Sequence, residues 1–204
     1  GRYCTSGNLR FTDARERRYL MSYELITTSK TKNRHINYRK LSDVLYGVVH
    51  WWGDDKGKSF DETVNFLCNN DRKVSANYVV EAGRVAQIAD DQDVALHAGQ
   101  WEVNEVSIGL ENRPDCRSED LDTLAQLIAD IEVRLGHSLY LIGHRDIIST
   151  SCPGEYYPHL PELIHRVNTI KAGMNNAPAA LTAQERADRL AKLQELKQKK
   201  KQAA

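Results

Sequence analysis

His144 and Cys152 stand eight positions apart, in a stretch that runs from Leu141-Ile142-Gly143 through to Pro153-Gly154. An imidazole and a thiolate are donors that Zn²⁺ favours. That spacing fits no helix face, so the segment must curl back on itself, and Pro153-Gly154 supplies the turn. Two donors do not hold an ion, and the third must come from elsewhere in the chain. His50 and His97, like His144, each close a run of strand-forming residues. Strand ends in sheet-based enzymes gather at one edge, where sites form. Glu111 closes another such run. His137, His159 and His165 read as surface residues, and His35 lies among Lys32, Arg34 and Arg39, a poor setting for a cation.

The elements that must position these groups can be read from apolar spacing. Leu45 to Trp52 is a short β-branched and aromatic run, which predicts a buried strand delivering His50. Asp61 to Asn69 predicts a helix capped by Ser59 or Asp61. Residues 76–80 and 84–88 flank Glu81-Ala82-Gly83 and predict a hairpin. Residues 94–99 and 106–112 are two further strand candidates, and 138–142 is a strand leading to His144. Ser118 to Leu135 carries one apolar stripe, with Ser118 as N-cap and Gly136 as terminator. A last core helix runs over 160–170. Strands interleaved with helices, plus a hairpin, predict an α/β domain with a central mixed β-sheet flanked by helices.

The chain has 204 residues, 41% of them hydrophobic and 27% charged, enough for one domain with a real core. The four cysteines are scattered and suggest no disulfide scaffold, Cys68 reading as a buried thiol. No apolar run is long enough to span a membrane. Net charge is zero but uneven: residues 1–40 hold ten Lys/Arg against three acids, 181–204 seven against three, and 41–180 eleven against twenty-two. Basic ends on an acidic body suit a polyanionic surface, or are simply solvated charge. Nucleic acid is not expected as a partner, because no base-reading motif is present.

Taken in order, His50 after its strand, Ser75-Ala76-Asn77-Tyr78-Val79-Val80, His97-Ala98-Gly99, Ser107-Ile108-Gly109-Leu110-Glu111 and Gly143-His144-Arg145-Asp146…Cys152-Pro153-Gly154 form a series. That series resembles the zinc-dependent N-acetylmuramoyl-L-alanine amidases related to phage T7 lysozyme, AmpD and the peptidoglycan recognition proteins, over roughly 41–167. Each short motif is unspecific; five in sequence are not. The resemblance implies His50, His144 and Cys152 as ligands of a Zn²⁺ cofactor. Three protein ligands leave a fourth position open, the mark of a catalytic zinc. It also implies Glu111 as the proton-transferring group, as in the AmpD-like branch. Other branches place a tyrosine where this chain has Ala76. Thr150 stands where many relatives carry a lysine, and its hydroxyl would offer the oxyanion a hydrogen bond without charge. His97, Tyr78, Asn77 and Trp52 are the substrate-binding candidates, with at least one of Trp51 and Trp52 expected in the core.

The organisation expected is a basic arm over 1–40 packed on the domain, a catalytic domain over 41–173, and a linker with a basic helical tail over 174–204, lying outside the core. That tail would lead to a possible cell-wall-binding module or mediate self-association. The expected partner is bacterial peptidoglycan. With no signal peptide in this chain, the expected setting is a phage endolysin, made in the host cytoplasm and acting at the cell wall after lysis. A non-catalytic peptidoglycan receptor on the same fold is the competing reading, opposed by the presence of Cys152.

Overall fold

The structure, a computed structural model, describes residues 23–53 and 57–202. Its centre is β3 (Tyr46–Trp51), a strand almost wholly buried. It lies between β7 (Ser107–Asn112) and β8 (Tyr140–Gly143), parallel to both. On the far side of β7 comes β4 (Tyr78–Glu81), also parallel. Then follow β5 (Arg84–Gln87), antiparallel to β4, and β1 (Glu24–Ile26), parallel to β5. The six-stranded order is β1-β5-β4-β7-β3-β8. The mixed sheet and flanking helices expected from the sequence are therefore present.

Alternation along the strands sorts side chains onto two faces. One face, including Val49, Tyr78, Val80, Ile108 and Leu110, packs under α3 (Ser118–Leu135) and α4 (Leu160–Ala172). The other face carries Tyr46 and Val48 in one cluster and Val79 and Ala86 in a second. The second cluster is covered by α1 (Phe60–Asn69), whose Ser59 and Glu62 form a capping box. The 81–84 turn places Gly83 at φ 74°, as the hairpin requires. Asp120 and Thr123 of α3 accept the amides of Ala82 and Gly83 and anchor that turn. α3 ends at Gly136 with φ 75°, as expected, but its N-cap is Arg117, whose amide donates to Asp120; Ser118 is the first helical residue.

Three expectations are altered. The strand expected over 94–99 shrinks to β6 (Val94–Ala95), paired with β2 (Arg34–His35) in a separate ribbon. Side chains take the donors that would have extended it: Ser75 Oγ accepts from Leu96, and Asn104 Oδ1 from His97 and Ala98. The segment then turns at Gly99 into a short helix, α2 (Trp101–Asn104), which the apolar spacing did not signal. Of the N-terminal arm, residues 1–22 lie outside the described residues. Its remainder is woven into the domain, with Arg39 buried and donating to the carbonyls of Asp91, Asn104 and Ser107. Finally, the tail helix α5 (Ala183–Gln202) is not free of the core. Leu193 and Leu196 are buried against Tyr46, Val48, Ile142 and Ile147. Tyr46 Oη donates to the carbonyl of Arg189, and Lys197 Nζ to that of Asp146.

Candidate metal centre

His50 is the fifth residue of β3, on the face shared with Tyr46 and Val48, and its register partner on β7 is Glu111. Parallel pairing thus sets an imidazole and a carboxylate side by side. β8 ends at Gly143, opposite Val49, and His144 opens a tight helical turn beyond it. A Cβ at Gly143 would meet Tyr157 at 2.7 Å and Pro153 at 2.9 Å, so only glycine lets the returning loop lie this close. The loop is tied across its base by the Arg145 amide donating to the Cys152 carbonyl (3.0 Å). Asp146 accepts from the Gly143 amide and from Tyr157 Oη. Gly154, at φ 57°, lies against the ring of Trp51, where a Cβ would stand 2.2 Å from the indole.

These constraints bring His50, His144 and Cys152 together, with one ligand atom from each lying within 4.8 Å of the others. His50 Nδ1 is 3.6 Å from Cys152 Sγ. Two donors on one tetrahedral zinc, with bonds of about 2.0 and 2.3 Å, stand about 3.6 Å apart, so the residues present fit that ion. Burial, reinforced by His97 and His144, pushes the pKa of His50 well below the usual value; burial also lowers His144. Both rings are therefore neutral and able to donate a lone pair. Burial, then the nearby Glu111, pushes the metal-free Cys152 thiol up to about 12; a coordinating cation reverses this.

Glu111 is partly buried on the same sheet face, and burial pushes its carboxyl up to about 7 against a smaller opposing pull from Lys58. A carboxyl poised there can accept and release a proton near neutrality. Thr150 Oγ1 accepts from the Cys152 amide at 3.2 Å, which leaves its own proton available. Trp52 rests on the α1 cluster and borders a groove of about 290 Å³ with Lys58, Arg84 and Arg113, whereas Trp51 covers Gly154.

The structure takes three other candidates away from an open site. Tyr78 faces the α3 side of the sheet, opposite Glu111, with 1% of its surface exposed. Its hydroxyl donates to Asp91 and accepts from Gln87 and Arg134. Ala76, two residues earlier, packs instead in the α1 cluster on the other face, because β4 begins only at Tyr78 and the chain bends at Asn77 just before it. Asn77 is fully buried and spends its amide on the carbonyls of Asp90 and Asp93 and on the Gly109 amide. His97 has both ring nitrogens engaged, Nδ1 with His50 Nε2 (3.0 Å) and Nε2 with Ser107 Oγ (3.2 Å). Burial, with the Arg39 guanidinium nearby, holds its pKa down at about 3, so it too is neutral. Ser107 and Asn104, which hold this part of the site, were not among the candidates. A polar–glycine–polar stripe over 107, 109 and 111 on the strand face of His50 was the available signal.

The sequence over residues 40–155 matches the family model described as N-acetylmuramoyl-L-alanine amidase. Compared by sequence with curated proteins, the chain matches none. Among solved structures it is similar to the catalytic domain of XlyA (18% identity, TM-score 0.58, covering 71% of this chain and 99% of that one). It is also similar to the endolysin N-acetylmuramoyl-L-alanine amidase LysCS from Clostridium intestinale URNW (16%, 0.56, 71% and 95%). A third is the Ph2119 endolysin from the Thermus scotoductus MAT2119 bacteriophage (16%, 0.52, 71% and 99%). At these identities the likeness is one of fold.

Proposed function

Because the chain belongs to the N-acetylmuramoyl-L-alanine amidase family, we propose that it hydrolyses the amide between the lactyl group of N-acetylmuramic acid and L-alanine in bacterial peptidoglycan, with Zn²⁺ held by His50, His144 and Cys152. The observation that carries this is the convergence of those three donors within 4.8 Å, beside a carboxyl that burial has brought to about 7. Zinc bound there supplies Lewis acidity, polarising the scissile carbonyl and making water acidic enough to attack near neutral pH. Glu111 takes the proton from the attacking water and returns it to the departing nitrogen as the C–N bond breaks, leaving a lactyl carboxylate and a free L-alanyl amine. Thr150 donates its free hydroxyl proton to the developing oxyanion. Trp52, at the rim of the groove shared with Lys58 and Arg84, offers a wall for the substrate. Two of the structurally similar proteins above are endolysins, which supports a phage lysin acting at the cell wall.

The test is zinc content together with loss of turbidity of isolated cell walls. Wild type is expected to carry about one zinc and to release L-alanyl amino termini, detected by mass spectrometry of the digest. Cys152→Ser and His50→Ala are expected to lose metal and cleavage together. Wall binding without zinc-dependent cleavage would overturn the enzyme reading in favour of a receptor.

A further inference from the structure

We propose that the dipeptide His97-Ala98, clamped by Asn104, is the frame that fixes both ligand histidines in the tautomer presenting Nδ1 to the metal. This rests on the zinc reading above and makes His97 a positioning residue rather than a contact for substrate.

One chain of hydrogen bonds runs from Val103 through Ser107 and His97 to His50. The Val103 carbonyl can only accept, so the Ser107 hydroxyl, 2.6 Å away, must point its proton there. Ser107 Oγ is then the acceptor for His97 Nε2 at 3.2 Å. A neutral imidazole carries one N–H, so His97 Nδ1 is bare and accepts from His50 Nε2 at 3.0 Å. The single proton of His50 is therefore on Nε2, and its Nδ1 lone pair faces Cys152 Sγ. The second ligand is set more directly, because His144 Nε2 lies 3.3 Å from the Ala98 carbonyl and must donate to it. Two consecutive residues thus decide the protonation of both ligands, one through a ring and one through a carbonyl.

The frame is itself held in place. Asn104 Oδ1 accepts from the amides of both His97 (3.1 Å) and Ala98 (2.8 Å). The His97 ring lies directly on β7 at Gly109, where a Cβ would stand 2.5 Å from the ring. Glycine at 109 is therefore what lets the ring reach His50.

The experiment measures zinc affinity by chelator competition in wild type, His97→Ala, Asn104→Ala and Gly109→Ala, with Co²⁺ absorption as a readout of ligand geometry. Each variant is expected to bind zinc about 10–100-fold more weakly, with altered Co²⁺ bands. If His97→Ala binds zinc as tightly as wild type, the proposal is wrong, whether or not wall cleavage falls. Should the variants fail to fold, ¹⁵N-edited NMR of metal-free wild type decides instead. His50 and His144 are both expected as Nε2–H tautomers, and an Nδ1–H tautomer at either one overturns the frame. A wild type that binds no zinc would defeat the zinc reading, and the metal-free spectrum would still report on the frame.

Discussion

Glu111 shows at the scale of one residue how this site trades stability for chemistry. A carboxyl whose folded pKa lies above its ordinary value binds more protons folded than unfolded between about 4.5 and 7. Its contribution to the stability of the metal-free protein is thus fully present below that window and is lost as pH rises through it, levelling off above about 7. Glu111→Gln removes the cost of holding a desolvated carboxylate. In the presence of a chelator the variant is expected to be more stable than wild type at pH 8, by about 1–3 kcal/mol, and nearly equal at pH 4. Thermal melts at the two pH values check this. The same variant is expected to keep its zinc and lose about 10²–10⁴-fold in turnover; near-wild-type cleavage would mean that another group moves the proton. His97, in contrast, contributes no titratable function of its own. Buried, neutral and bonded at both nitrogens, it acts only through the ring it holds.

At the scale of elements, α5 departs furthest from expectation. Its apolar positions are sparse, and a helix with so thin a stripe reads as solvated. What the stripe does not reveal is that Leu193 and Leu196 meet an apolar surface already shaped by Tyr46, Ile142 and Ile147. Ile147 and the Asp146 carbonyl belong to the loop between His144 and Cys152, so α5 braces that loop. Leu193→Ala is expected to cost about 2–4 kcal/mol in urea unfolding, because the side chain is 1% exposed and leaves a cavity. A truly peripheral helix would give a change near zero. Elements with strong local signals were legible: the capping box at Ser59, the stripe of α3, the turn at Gly83. His50, His144, Cys152 and Glu111 were singled out as well, but residue types alone left His97 as good a third donor as His50, and the resemblance to the amidase family chose between them. The bend at Asn77 and the clamp at Asn104 were not, since in both a side-chain amide bonds backbone groups outside its own element. Periodicity carries no trace of such captures, and Tyr78, expected to meet substrate, proves to be buried on the α3 side.

At the scale of the whole molecule, the centre joins β3 to the loop after β8, so an ion bound there links segments far apart in the chain. Among the described residues no helix is long and apolar enough to cross a membrane. A ligand that binds only the folded state stabilises it by about 2.7 kcal/mol at a hundredfold excess over its Kd. Thermal scans are therefore expected to show a Tm that rises with added Zn²⁺ and falls with a chelator, while Cys152→Ser responds to neither. An unchanged Tm on chelation would mean that the three donors are not closed by a metal. The position of β3 also sets an order in time. Its strand, with His50, is made well before either sheet neighbour, β7 beginning at Ser107 and β8 at Tyr140. Cys152 comes 102 positions after His50, and the brace at Leu193 later still. The three donors therefore cannot meet until Cys152 has been made. Strand order thus ties assembly of the centre to the arrival of both neighbours of β3, not to β3 itself.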